Sequence, residues 1–190
     1  MQPISAAVYD ACVLYPASLR DFLMHLALVE VFQAHWTTEI HAEWTRNVLE
    51  NRPDVRASDL QRTRDLMDFH VFDALVIGYE PLIPTLHLPD PNDRHVLAAA
   101  IHCHANVIVT FNLRDFPRAT LLDYGIEALH PDDFVLRLLD FDSSAGCLAA
   151  RRQRQSLRNP PKSVAEYLST LEAQSLTQTA ARLRQFAEVL

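Results

Sequence analysis

Apolar positions recur along this chain with two periods, and the switches between them outline the elements. Ile4-Ser5-Ala6-Ala7-Val8-Tyr9 is a β-compatible apolar block closed by Asp10, which predicts a short buried strand. Leu14-Tyr15-Pro16 turns the chain. Ser18 is then placed to cap a helix to about residue 29 that carries Leu19, Phe22, Leu23, Leu26 and Leu28. Residues 32–37 read as a second strand. Thr37 or Thr38 caps a helix to about residue 50 with Ile40, Trp44 and Val48 on one face and Glu43 beside them. Pro53 separates it from another helix, opened by Ser58 and carrying Leu60, Leu66, Met67 and Phe69.

Residues 71–77 fit either a helix turn or a strand, Gly78-Tyr79-Glu80-Pro81 breaks them, and 82–88 read as extended. Asp90-Pro91-Asn92-Asp93 is turn and cap chemistry that launches an apolar helix through Val96 and Ile101, closed at Ala105-Asn106. Val107-Ile108-Val109 is a buried strand, 112–117 a loop and 126–129 a last short strand, and Pro131 opens a helix through Leu139. Strands interleaved with helices in this order predict a parallel sheet flanked by helices.

Beyond residue 142 the pattern changes. Arg151-Arg152-Gln153-Arg154-Gln155 is a charge run and Asn159-Pro160-Pro161 a break. Ser163-Val164-Ala165-Glu166 matches a capping box ahead of Tyr167, Leu168 and Leu171, and Ala180, Leu183, Phe186 and Ala187 mark a final amphipathic helix. The expected division is a body over residues 1–142 and a helical C-terminal extension over 143–190.

Composition removes several function classes. The chain has three glycines, Gly78, Gly125 and Gly146, whereas a P-loop or a dinucleotide fingerprint needs several close together so that backbone can approach phosphate. Cys12, Cys103 and Cys147 are isolated, with no CxxC pair, which fits reduced thiols in the cytosol. His102-Cys103-His104 diverge around a helix, and His41 and His70 lack partners at ligand spacing, so no zinc pattern emerges. No G-x-S-x-G elbow is present. The N-terminus lacks a basic region and a cleavage site, and no apolar run reaches the ~20 residues of a membrane span, so a cytoplasmic protein with no membrane partner is expected.

The net charge of −7 is divided unevenly. Residues 1–142 hold 10 basic and 21 acidic groups, and residues 143–190 hold 7 basic and 3 acidic groups. An acidic body does not suit a protein that coats duplex DNA. It suits a focused acidic pocket, with Arg151, Arg152, Arg154, Arg158 and Lys162 either tracking a phosphate backbone or forming a solvated helix face.

Four carboxylates stand where strands and helices would deliver them to one sheet edge: Asp10, Glu43, Asp93 and Asp115. Ligands in open parallel sheets sit beyond the carboxyl ends of the strands. Clustered carboxylates raise one another's pKa, and a divalent cation relieves that repulsion while polarising a phosphodiester. Each also has a plainer reading. Asp93 or Asp90 could cap the following helix, Glu43 could be a solvated helix residue, Asn112 could be turn chemistry, and Thr110 could simply end a strand.

Taken together, Val8-Tyr9-Asp10-Ala11-Cys12-Val13-Leu14, Glu43 in its early helix, Asp93 leading into Ala98-Ala99-Ala100, and Val107-Ile108-Val109-Thr110-Phe111-Asn112-Leu113-Arg114-Asp115-Phe116 resemble the PIN-domain nucleases, including the VapC-like toxins of toxin–antitoxin pairs. The resemblance covers roughly residues 4–140. It implies a three-layer α/β/α sandwich with a central parallel sheet and a Mg²⁺- or Mn²⁺-dependent ribonuclease. The implied catalytic acids are Asp10, Glu43, Asp93 and Asp115. Asp10, Asp93 and Asp115 would hold metal, Glu43 would orient or deprotonate the attacking water, and Thr110 and Asn112 would support them. The implied partners are RNA and an antitoxin protein, with a homodimer as a further expectation. Two features depart from the pattern: Cys12-Val13 stands where small polar residues are common, and the 143–190 extension is longer than in minimal toxins. The alternatives are a non-catalytic PIN-like module that binds RNA or protein, and a doubly wound phosphatase, for which Asp10-Ala11-Cys12 lacks the second Asp of a D-x-D nucleophile.

Overall fold

Four short strands, β1 (Ala6–Tyr9), β2 (Gln33–His35), β3 (Val107–Val109) and β4 (Glu127–Leu129), form one sheet in a computed structural model that describes residues 3–190. The order is β2-β1-β3-β4 and every pairing is parallel, with Val8 opposite His35 on one side and Ile108 on the other. Every residue of β1 and β3 is buried, although successive side chains point to opposite faces. Both faces are therefore covered, as parallel sheets require. The cover is helical: α1 (Ala11–Leu14), α2 (Ala17–Ala27), α3 (Thr38–Asn51), α4 (Ala57–His70), α5 (Arg94–His102), α6 (Arg118–Leu122) and α7 (Pro131–Phe141), followed by α8 (Ser143–Ser156), α9 (Val164–Ala173) and α10 (Thr177–Arg184). The result is the helix-flanked parallel sheet that the hydrophobic pattern predicts and the α/β sandwich that the resemblance implies, with C-terminal helices added. Among the described residues no helix is long and apolar enough to cross a membrane.

Local chemistry explains most element ends. Thr37 accepts the Ile40 N–H at 3.0 Å and caps α3. Ser163 and Glu166 form the reciprocal capping box that opens α9. Tyr9 lies edge-on to Phe134, ring centres 6.0 Å apart, and Phe134 meets Phe32 in the same way at 5.2 Å, so the sheet and α7 share an aromatic core.

Three expectations about elements are corrected, and the burial of α4 is resolved. α2 starts at Ala17, with Pro16 in the N-cap position, so Ser18 falls inside the first turn and Leu28 lies past the helix end, partly exposed. The segment expected to be extended over 82–88 is instead largely a 3₁₀ turn, Glu80–Thr85, because Pro81 sits in its first turn with φ already helical. α4 buries Leu60 and Met67 but leaves Leu66 and Phe69 exposed, since Phe69 lies about 200° around the helix from Met67. α5 ends at His102, before Ala105-Asn106, where His104 takes a left-handed φ of 55°. The ambiguous stretch 71–77 is irregular but for a single parallel bridge from Leu75 to Trp36.

The C-terminal helices are joined to the sheet layer by buried polar groups. Gln153 donates to Ser18 O and to Asp21 and accepts the Tyr167 hydroxyl at 2.8 Å, tying α8 and α9 to α2. Arg154, in the middle of the basic run, donates to the backbone oxygens of Leu190 and Lys162. It is thereby occupied inside the protein, while Arg151 and Arg152 stay exposed. α10 has no cap from its own N-cap residue, Leu176. Asp132 of α7 supplies one from 46 residues away, accepting the N–H groups of Gln178 at 2.9 Å and Thr179 at 2.8 Å. Asp132→Ala therefore leaves the buried Thr179 N–H and the part-buried Gln178 N–H without acceptors and should cost about 2 kcal/mol. In thermal unfolding this is a fall of roughly 4–8 °C. An unchanged midpoint would show that the cap contributes nothing.

Candidate active site

The site is built where β1 and β3 end side by side. Asp10 follows β1 directly, and its N–H donates to Val109 O at 3.1 Å, which continues the ladder by one residue and carries the carboxylate to the sheet edge. Asp10 stands at the N-cap of α1 but its side chain caps nothing. It is buried (4% exposed), and its Oδ2 accepts the Thr110 hydroxyl at 2.6 Å and the Cys12 thiol at 3.0 Å. Thr110 follows β3 in the same way, with its N–H on Leu129 O, and its hydroxyl accepts the Asn112 N–H at 2.9 Å. Among the described residues no hydrogen bond engages Asp10 Oδ1.

Cys12 occupies the position noted as a departure, and its sulfur acts as a small polar group. It donates to Asp10, lies 3.4 Å from Thr110 Oγ1 and accepts the Phe111 N–H at 3.2 Å. Burial and the adjacent Asp10 charge push the thiol pKa well up, so it remains a protonated donor.

Asp93 ends the 3₁₀ turn Pro91–Asp93 ahead of α5 and makes no cap hydrogen bond; Asp90 takes that duty, accepting the Asn92 N–H at 2.9 Å. The capping role considered for either residue thus belongs to Asp90. Partial burial, then the charges of Asp10, Asp90 and Asp115, push the Asp93 pKa up to about 7. Asp115 is half-buried in the loop after β3, held by its N–H on Asn112 O at 3.0 Å. Asn112 itself is exposed, and its part in the network is made by backbone. The charges of Asp10 and Asp115 are therefore both felt at Asp93. Among the described residues none of the three is paired with arginine.

Glu43 is half-buried on α3 and adjoins this cluster through a histidine. Its Oε1 lies 3.1 Å from His95 Nε2, and Glu39, one turn earlier, lies 3.7 Å from His95 Nδ1. Burial alone would lower the His95 pKa, but the carboxylates of Glu43 and Glu39, with Asp10 beyond, outweigh it and raise it. The sequence reading passed over Glu39 and His95. The available signals were the four-residue spacing of Glu39 and Glu43, which puts both on one helix face, and the position of His95 two residues after Asp93. His41 belongs to the core: its Nδ1 accepts the Trp44 indole N–H at 2.9 Å and its Nε2 meets Asp68, which also accepts from Trp36.

The donor set of Asp10, Asp93 and Asp115 suits a hard divalent cation. It is all carboxylate oxygen, although among the described residues the acidic group whose ligand atoms lie within 4.8 Å of one another is Glu39, Glu43 and His95 rather than these three.

Comparison with known proteins gives three findings. The PIN-domain family model matches residues 6–114, more than half of the chain; the match takes in Asp10, Glu43, Asp93, Thr110 and Asn112 and stops one residue before Asp115. A second family model, VapC50 C-terminal domain, matches residues 131–185, from α7 to the end of α10. The protein named "Putative ribonuclease VapC50" of Mycobacterium tuberculosis (strain ATCC 25618 / H37Rv) is 40% identical over 111 residues, which are 58% of this chain and 64% of that protein. The chain thus spans less than two thirds of the relative it matches. No solved structure gives a significant match.

Proposed function

The chain belongs to the PIN-domain family, and from that membership we propose that it is an endoribonuclease that hydrolyses RNA phosphodiester bonds with Mg²⁺ or Mn²⁺, acting as the toxin of a toxin–antitoxin pair. The observation that carries the reading is Asp10 buried at the strand ends under the Thr110 hydroxyl, with the charges of Asp10 and Asp115 felt at Asp93. The printed name of the Mycobacterium relative agrees with it. The second family match includes α8–α10, and in this reading residues 1–142 are the nuclease body and 143–190 a helical extension.

Asp10, Asp93 and Asp115 would hold the cation, which when bound supplies neutralisation of the carboxylates and polarisation of the phosphate. The chain's own groups do the rest. The Thr110 and Cys12 donors immobilise Asp10 through Oδ2 and leave Oδ1 available. Asn112 holds the Thr110 hydroxyl in line through its backbone N–H. Glu43, on the neighbouring helix, would take the proton from the attacking water at a carboxylate oxygen.

Purified full-length protein incubated with total RNA should give discrete fragments in Mg²⁺ or Mn²⁺ and none once EDTA is added. Fragmentation indifferent to EDTA, or no fragmentation with either ion, would reject the reading. No observation favours the non-catalytic alternative.

A further inference from the structure

We propose that Glu39, Glu43 and His95 form a second cation site beside the aspartate cluster, one that takes a first-row transition-metal ion in preference to Mg²⁺. This goes beyond the nuclease reading, because it uses two residues that reading leaves aside and requires no RNA chemistry.

One ligand atom from each of the three side chains lies within 4.8 Å of the other two. Acidic groups gathered on a surface would carry no inference, but His95 adds an independent one. Its side chain is 3% exposed and directed at both glutamates, yet among the described residues neither ring nitrogen has an aligned hydrogen-bond partner. The approach of Nε2 to Glu43 is short at 3.1 Å but misaligned, and Nδ1 is 3.7 Å from Glu39. A buried imidazole ordinarily satisfies its nitrogens. One held against two carboxylates without aligned hydrogen bonds has the arrangement of a ligand facing a shared ion.

The surroundings fit. Glu39 and Glu43 are one turn apart on α3, so both carboxylates face the His95 side of α5. Glu39 is half exposed, which leaves an entry path and space for water ligands. The Tyr79 hydroxyl reaches Glu39 Oε2 at 3.4 Å and helps orient it. An imidazole in the set separates this site from the all-oxygen aspartate cluster. Mg²⁺ prefers carboxylate oxygen and water, whereas transition-metal ions accept imidazole readily.

The test uses Mn²⁺ as an EPR-visible probe on the full chain, with excess Mg²⁺ as competitor. Wild-type protein should bind two Mn²⁺ per chain. Asp10→Asn with Asp115→Asn should keep one, and that one should persist in Mg²⁺. Adding Glu39→Gln to this double variant should weaken the remaining Mn²⁺ at least ~10-fold. Glu39→Gln alone, a change at a half-exposed helix position, should reduce the wild-type count from two to one. The proposal is overturned if the double variant binds no Mn²⁺, if its bound Mn²⁺ yields to Mg²⁺, or if Glu39→Gln changes nothing in either background. Failure of the nuclease reading would appear separately, in the RNA assay of the wild-type chain.

Discussion

Asp10→Asn is expected to reduce RNA cleavage by roughly 10²–10³-fold while the protein stays folded. The substitution is nearly isosteric. The amide oxygen can still accept the Thr110 hydroxyl that now sits 2.6 Å from Oδ2, so the junction of β1 and β3 keeps its buried hydrogen bond. The negative charge at the strand end is lost, and with it the group best placed to fix a cation against the sheet edge. Asp54 provides the control: it is exposed and paired with Arg52, and Asp54→Asn should leave cleavage unchanged. A thermal midpoint close to wild type, together with the loss of cleavage, separates chemistry from folding. Near wild-type cleavage by Asp10→Asn would remove Asp10 from the active site, and the cation assignment with it.

The second large effect is on stability, with a sign opposite to the usual one for a carboxylate. An Asp in the unfolded chain titrates near 3.9, whereas Asp93 in the fold is pushed up to about 7 by burial and by Asp10, Asp90 and Asp115. Between these values the folded protein binds more protons than the unfolded chain, so stability falls as pH rises from about 4 to about 7. The full shift would be worth about 4 kcal/mol, and solvent screening of this half-exposed carboxylate reduces it to about 1–2 kcal/mol. In the absence of divalent cation the midpoint should therefore drop by roughly 3–6 °C over that window. His95 acts in the same direction higher up, because its raised folded pKa supplies stability that is lost as pH passes through it. Saturating Mg²⁺ or Mn²⁺ should restore the midpoint more at pH 8 than at pH 5. Asp93→Asn should stabilise the cation-free protein near neutrality and flatten the profile between pH 4 and 7. A profile that rises with pH there, or one unchanged by Asp93→Asn, would mean that the aspartates do not share a field.

The supporting residues show how far reading along the chain can reach. Thr110 was recognisable because it follows Val107–Val109, an apolar strand legible by itself. Its partner was not, because the hydroxyl bonds a carboxylate 100 positions earlier. Cys12 seemed to break the pattern, but its thiol has the reach and the proton to serve as a hydrogen-bonding group. Leu66 and Phe69 are apolar in the sequence and exposed in the fold, because an apolar residue type does not show that anything covers it. The basic run fits either a phosphate track or a solvated helix face, and Arg154 is engaged by backbone oxygens that only the folded C-terminus brings near.

What the amino-acid order determined alone was local: the parallel strands as apolar blocks, the Thr37 cap, the capping box at Ser163 and Glu166, and the identity of the acids. These depend on interactions within a few residues, where propensity and periodicity carry the information. What only the tertiary structure decided was which groups meet. It set Asp10 under Thr110, brought Asp93 into the field of Asp10 and Asp115, placed His95 between Glu39 and Glu43, and lent Asp132 to a helix 46 residues away. Such meetings depend on strand register and on the angle at which helices pack, and both are set by the whole core at once.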